Sequence, residues 1–437
     1  MLMTLLLLGL AMQNNAVVES NNNVLAIYPS NPHYFQNGDG QPILLIGDSA
    51  STTFADVDYG FKTMFDTLKA NDINLSRVWV FWGCETLIGN VNRAMVIPYL
   101  RTGPGDANDG KSKYDLSQFN PDFFERLRNV CISAREHGIF LQLILFDAWL
   151  LKHPFLWINH AYQRNNNING VDGDPENTGT GIDGQKGFCS LENTKVLEYQ
   201  KAFVRKTIDT VNEFDNIFYE IANENYYNAD WEISLCQFIH EYEKGKPKQH
   251  LVMPLDLINH DYDGIKTWDI QELHTNLLMA QALKHPLIFD TDGIGCPDDT
   301  TVRKGAWTAF ASGGNIDYWD SSFKIDLVGS QFATMRQQLK YLATFIKHIK
   351  FWEMQPTDSL VNTGKAFTIA SKNEIVSYLP DGGKIVLDLA SVKGVLSAQW
   401  FNTRNGVFDK EFQVSGGELI GFNAPDDNDW ALLIVNR

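Results

Sequence analysis

An apolar run, Ile217-Phe218-Tyr219-Glu220-Ile221-Ala222, stops on two polar residues, Asn223 and Glu224. Such a run reads as a buried strand, so the amide and the carboxyl arrive side by side at the strand mouth. A carboxyl there can give or take a proton, and an amide beside it can hold a hydroxyl. Cleavage of a sugar linkage asks for this kind of group, with a second carboxyl across the bond.

Other strand-like runs lie at 43–47, 75–81, 139–146, 251–255, 270–274, 287–290 and 316–319. Taken as strands, they end on Asp48, on Trp82 with Arg77 further back, on Asp147 and Trp149, on His274, on Asp290 and Asp292, and on Trp319. Carboxylates and amides bind hydroxyls, while tryptophan faces cover the C–H side of a sugar ring. Asp48, Asn223, Glu224 and Trp319 stand out because each ends an expected strand. Arg77 reads equally as a buried ion-pair partner or a substrate contact. His274 reads equally as a satisfied core histidine. Glu224, at a strand mouth among tryptophans, is expected to be partly desolvated, which favours its protonated form.

Something must bring these ends together. Helical patterns alternate with the strands, as at 120–138. There Asn120 caps, Pro121 opens the first turn, Phe123, Leu127, Val130 and Ala134 share a face, and Gly138 stops the helix. A second helix is expected from about Thr194 to Phe214. Eight apolar strands alternating with helices predict an α/β fold, a closed parallel (β/α)8 TIM barrel over 21–355. A doubly wound open sheet is the rival, weakened by the lack of a Gly-x-Gly-x-x-Gly turn after the first strand. The stretches 88–119 and 151–189 are long loops on the face where barrel sites lie. Beyond them, 356–437 shows short alternating strands with turns at Pro380-Asp381-Gly382-Gly383 and Arg404-Asn405-Gly406, which predicts a small antiparallel β-sandwich domain.

Composition narrows the partner. The 437 residues are 44% hydrophobic and 20% charged, with net charge −17 and pI near 5.0. Acidic balance argues against nucleic acid and anionic membranes and fits a soluble protein acting on a neutral ligand. The start, residues 1–20, carries a short apolar run and reads as a signal peptide, hence a secreted or periplasmic protein without membrane insertion. Five scattered cysteines without a Cys-x-x-Cys give neither a zinc site nor a disulfide framework. No metal or cofactor is expected.

The Asn223-Glu224 ending resembles the fourth strand of clan A glycoside hydrolases, which implies Glu224 as general acid/base. In that clan the nucleophile is a Glu about five positions after a strand-seven Pro. Counted from Pro286, the slot holds Thr291, flanked by Asp290 and Asp292, and these become the candidates for the second catalytic carboxyl. Together with Arg101-Thr102-Gly103-Pro104-Gly105 and Phe123-Phe124-Glu125-Arg126-Leu127-Arg128, these segments are similar to apiosidase-like glycosidases. The stretches Val376-Ser377-Tyr378-Leu379 and Trp400-Phe401-Asn402 resemble a domain described as collagen-binding, for which a packing role is the simpler reading. The resemblance implies hydrolysis of O-glycosidic bonds in a poly- or oligosaccharide by two carboxylates. The alternative is a non-catalytic carbohydrate-binding barrel that has lost its strand-seven nucleophile. A metal-assisted hydrolase built on Asp290, Asp292 and His274 is weakened by the lack of any His-x-His or His-Glu-x-x-His spacing.

Overall fold

A computed structural model describes residues 23–49, 54–58, 60–85, 95–225, 228–253, 258–259, 267–291, 298–318 and 332–436. Eight parallel strands form one sheet. In chain order they are Ile46–Asp48, Leu75–Trp79, Phe140–Asp147, Ile217–Asn223, Val252–Met253, Ile258–Asn259, Leu287–Asp290 and Asn315–Tyr318, here strands one to eight. The sheet order is five, four, three, two, one, eight, seven, six. That is chain order wrapped into a ring, with strand one paired to strand eight, as in a (β/α)8 barrel. The seam falls between strands five and six, and no ladder joins them among the described residues. Strands two and four are buried along their whole length, as the near-continuous apolar runs require.

The helices behind the strands are Phe61–Ala70, Pro121–His137, Thr194–Val211, Ala229–Glu243, Ile270–Ala280, Asp299–Ala311 and Ala333–Ile346. Helix Pro121–His137 forms as its sequence dictates: Asn120 accepts from the Asp122 N–H, and Gly138 closes it at φ 74. A three-stranded antiparallel sheet of Ala26–Ile27, Phe35–Gln36 and Pro42–Ile43 caps the N-terminal end, where Leu25 and Phe35 pack on Leu75, Phe218 and Ile288.

One expected strand is corrected. Residues 270–274 form the first turns of helix Ile270–Ala280 rather than strand six. Asp269 caps it, accepting from the N–H groups of Gln271 and Glu272, and Leu273, His274 and Leu277 line the buried face. The five-residue window is too short to show the 3.6-residue period. Strand six is Ile258–Asn259 instead. His274 therefore leaves the barrel mouth altogether. Its ring stacks on Phe367 at 4.1 Å, and its nitrogens bond Ser312 Oγ (2.7 Å) and Asp358 Oδ2 (2.5 Å).

The C-terminal sheet begins at Gln355–Pro356, paired with Phe367–Ala370. Phe367–Ala370, Glu374–Leu379, Trp430–Asn436 and Val395–Asn402 form its centre, and Val361–Thr363, Lys384–Asp388 and Leu419–Asn423 form a second antiparallel sheet. Ile385, Leu387, Leu396, Trp400, Phe422 and Leu432 fill the space between them. This domain rests on the last two barrel helices. Trp307 stacks on Tyr378 at 5.7 Å, and Phe345 meets Phe401 at 5.0 Å. Within that apolar contact, Arg303 grips Asp429 through two bonds of 2.8 and 2.9 Å, and Thr403 Oγ1 donates to the same carboxylate at 2.6 Å. Arg303 and Asp429 are both buried. Breaking one half of a buried pair strands the other charge and costs about 3–5 kcal/mol. Asp429→Ala is expected to lose stability of that size, read as a drop in the urea unfolding midpoint.

Candidate functional site

Strand two carries Arg77 between apolar neighbours, and a guanidinium inside a barrel must find acceptors. Its Nη2 donates to Glu220 Oε1 (3.0 Å), Glu220 Oε2 (3.1 Å) and Asn223 Oδ1 (3.2 Å). Its Nη1 pairs with Asp290, and its Nε lies 4.0 Å from Asp317 Oδ2. Gln142 Nε2 donates to Glu220 Oε2 at 2.5 Å, and Ser49 Oγ donates to Asp317 Oδ2 at 2.5 Å. A Cβ on Gly47 would stand 2.2 Å from Asp317 Oδ1, so glycine at 47 makes room for that carboxyl. Burial, and secondly the Asp290 charge, push the Asp317 carboxyl well above the usual range, and burial also raises Glu220 against the pull of Arg77. The upward shift at Asp317, the larger of the two, eases the imbalance of three acids around one cation.

Above this floor, the ends of strands three and four lie in register, Asp147 opposite Asn223. Asn223 uses both ends of its amide: Oδ1 accepts from Arg77, and Nδ2 donates to Asp147 Oδ1 at 3.3 Å. Asp147 also caps the single-turn helix Ala148–Leu151, accepting from the Trp149 N–H at 3.0 Å. Burial first, with the Glu224 charge adding to it, pushes the Asp147 carboxyl up to about 7. Glu224 follows Asn223 in the left-handed region at φ 48. Its side chain is 11% exposed, and Lys152 Nζ donates to its Oε2 at 2.7 Å. Trp149 stands beside this group, its ring 6.5 Å from Trp82 and 4.3 Å from His153. A cavity of about 420 Å³ is lined by Gln185, Ser190, Leu191, Glu192, Asn228 and Asp230, with none of Trp82, Asp147, Trp149, Asn223 or Glu224 in its lining. Cys189, also in the lining, is close enough to Asp147 and Glu232 for their charges to raise its thiol further after burial.

The expected site residues therefore divide. Asp147, Trp149, Asn223, Glu224 and Trp82 gather at the mouth. Arg77 and Asp290 lie beneath it as a buried pair, Asp290 being 3% exposed. Asp48 ends strand one but is fully buried, with Arg336 Nε donating to its Oδ2 at 2.5 Å, so it anchors helix Ala333–Ile346 instead of facing the mouth. His274 lies elsewhere, as described, so the cluster of Asp290, Asp292 and His274 is not assembled. Asp292 and Trp319 fall outside the described residues. Among the described residues, no group of three or more His, Cys, Asp or Glu is arranged to hold a metal ion. Sequence reasoning missed Lys152, Glu220, Gln142 and Asp317. The last three had a signal: each is a polar residue inside an otherwise apolar strand.

Glu224 is held from behind. The Asn225 amide donates to the Asn228 carbonyl (3.4 Å) and to Glu232 Oε1 (3.1 Å), locking the turn after the left-handed residue. Burial pushes the Glu232 carboxyl from 4.5 up to about 8, against the Asn225 bond that lowers it. A raised acid stabilises the fold fully below its unfolded value, and that contribution is lost as pH rises through the folded value. Wild-type stability from Glu232 should therefore fall between pH 4.5 and about 8. Glu232→Gln keeps the shape without the titration. Its melting temperature is expected to fall less steeply across that window, with the residual slope due to the other raised buried carboxyls, Asp147 and Asp317 among them.

Comparison with known proteins agrees with this architecture. Residues 94–260 match a family profile described as a domain of unknown function, DUF6298, and residues 358–435 match one described as "Putative collagen-binding domain of a collagenase". No curated protein sequence matches the chain. Among solved structures, one described only as a glycoside hydrolase is similar at 13% identity and TM-score 0.65, covering 95% of this chain and 97% of that one. A glycoside hydrolase family 5 structure from Bacteroides vulgatus is similar at 14% identity and TM-score 0.64, covering 95% and 94%. Over nearly its whole length, then, this chain has the fold of those glycoside hydrolases, a TIM-barrel-like core followed by a β domain.

Proposed function

We propose that this protein hydrolyses an O-glycosidic bond in a neutral oligo- or polysaccharide, with Glu224 acting at the glycosidic oxygen. The observation that carries this reading is the grouping of Asp147, Asn223 and Glu224 at adjacent strand ends, with the Trp149 N–H donating to Asp147. An acid must touch the leaving oxygen, so the leaving sugar lies on the Glu224 side of the bond. The cavity that includes Cys189, whose thiol feels the Asp147 charge, offers amide, hydroxyl and carboxylate groups for hydroxyls, and its size falls within the range of small-ligand sites. Among the described residues its lining holds Glu192 and Asp230 and no Lys or Arg, which disfavours an anionic sugar. In the reaction, Glu224 protonates the departing oxygen and, as a carboxylate, then takes a proton from water. The second carboxyl comes from strand seven. Asp292 is the better candidate, because Arg77 already engages Asp290.

A panel of aryl glycosides and neutral polysaccharides tests the activity. Glu224→Gln is expected to lower turnover of natural glycosides by a factor of about 10²–10⁴, the usual worth of acid–base help, and to reduce substrate binding little. Aryl glycosides with good leaving groups are expected to lose less. Of Asp290→Asn and Asp292→Asn, made separately, only Asp292→Asn is expected to match the damage of Glu224→Gln without loss of stability. Wild-type rates in all three variants would rule out a two-carboxylate mechanism. Sugar binding without turnover by the wild-type protein would mark it as a binding barrel.

A further inference from the structure

Beyond the end of strand three the chain makes two single-turn helices before its long loop. Asp147 accepts from the Trp149 N–H and starts the first, Ala148–Leu151, and Pro154 opens the second, Pro154–Trp157. The second helix buries Leu156 and Trp157. Trp157 lies against Gly173 and Gly181, where a Cβ would stand 2.7 and 2.6 Å from its ring, and the Gly181 N–H donates to the Leu151 carbonyl at 2.9 Å. Both turns are thus pinned to the loop behind them. On their other side they leave a row of rings. Trp82 backs Trp149 at 6.5 Å, His153 leans on Trp149 at 4.3 Å, and Phe155 leans on His153 at 5.6 Å. Exposure rises along the row: Trp82 is buried, Trp149 and His153 are half-buried, and Phe155 is 58% exposed. A single exposed phenylalanine is ordinary. A row of touching rings that starts beside the proposed acid is not. Lys152 ties the two together, its Nζ bonded to Glu224 Oε2 at 2.7 Å and 5.9 Å from the centre of the Trp149 ring. Burial, and next the Lys152 charge, hold His153 below its usual 6.5, so at neutral pH its ring brings no charge to the row.

We propose that Trp149, His153 and Phe155 form a ridge that binds the sugar units on the leaving-group side of the cleaved bond, in a single soluble saccharide chain that passes outward over Phe155. The proposal rests on the glycosidase reading above and extends it to the length and form of the substrate. The side follows from the acid. Glu224 must touch the leaving oxygen, so the first leaving unit lies at Glu224, where Lys152 and Trp149 stand. Phe155 is two ring contacts further out, so a chain with more than one unit on that side gains a contact that a shorter one lacks. Aromatic faces bind the C–H side of sugar rings without asking for charge, which suits neutral units. The form follows from the tilt. The planes of Trp149 and His153 differ by 59°, and those of His153 and Phe155 by 44°. A flat strip of rings would match the flat face of packed chains. A turned row matches a free chain, whose successive sugars can rotate about their linkages.

Binding and cleavage are read separately on the full chain, with neutral oligosaccharides of the cello, xylo, manno and laminari series, from disaccharide to hexasaccharide, as probes. Calorimetry on Glu224→Gln, which leaves the probe intact, is expected to show affinity rising with length in at least one series. Adding Phe155→Ala should weaken the hexasaccharide by roughly 3- to 10-fold, the worth of one aromatic contact, and the disaccharide by less. Phe155→Trp should restore the difference. Because Phe155 is largely exposed, the unfolding midpoint should barely move, which separates lost binding from lost fold. A hexasaccharide labelled at its reducing end reads the side, since the leaving fragment carries the label. Phe155→Ala should shift the labelled products toward shorter fragments. A shift toward longer ones would put the row on the other side of the bond and overturn the proposal. Cleavage with a length preference indifferent to Phe155→Ala also overturns it and leaves hydrolysis standing. Length-dependent binding that needs Phe155, without cleavage, upholds the ridge and sinks the hydrolytic reading. No affinity for any probe overturns the ridge, and the aryl glycoside panel then decides hydrolysis alone.

Discussion

One buried cation organises this barrel. Arg77 on strand two reaches Glu220 and Asn223 on strand four, Asp290 on strand seven and the vicinity of Asp317 on strand eight. Gln142 on strand three and Ser49 at the end of strand one complete the cluster. Hydrophobic burial would tolerate several registers among these apolar strands, whereas a bidentate guanidinium inside the barrel accepts few. Its strength as a stabiliser is modest, because desolvation offsets much of the attraction. Its worth lies in specification: a slip of one residue would bury an unpaired charge.

The candidate chemistry is built on the rim of that cluster. Asn223 joins the two levels, with Arg77 on one end of its amide and Asp147 on the other. The orientation of the mouth therefore follows from the floor, and the mouth does not depend on loop packing alone. The C-terminal domain serves the same rigidity from outside. It clamps helices Asp299–Ala311 and Ala333–Ile346, which flank strand eight, through Arg303–Asp429 and the ring contacts of Trp307 and Phe345. The second of these helices also carries Arg336 to Asp48 on strand one, so the domain contact and the barrel interior share one element.

Much of this was legible in the chain. Long apolar runs marked strands three and four, and Asn120, Pro121 and Gly138 marked a helix almost to the residue. The end of strand four, Asn223 and Glu224, came directly from its pattern. What escaped was three-dimensional pairing. Nothing in the spacing tells that Asp48 faces Arg336, 288 positions away, or that Lys152, in the turns after strand three, folds back onto Glu224. His274 was misplaced because its segment, Ile270–Ala280, is apolar enough to pass for a strand when read five residues at a time. The short strand Ile258–Asn259 carries too few residues for either period to register.

The left-handed turn at Glu224 bears on how this protein can evolve. A side chain with a Cβ pays about 1–2 kcal/mol to sit at φ 48, whereas glycine would sit there without penalty and asparagine with little. On the proposed reading, the position that delivers the proton is one where the chain would gain stability by giving the carboxyl up. Selection for robustness and selection for the proposed catalysis then pull in opposite directions at residue 224. Lineages released from catalysis should drift there first, toward glycine or asparagine, while the Asn225 clamp and the Arg77 cluster persist as remnants of a purpose no longer served.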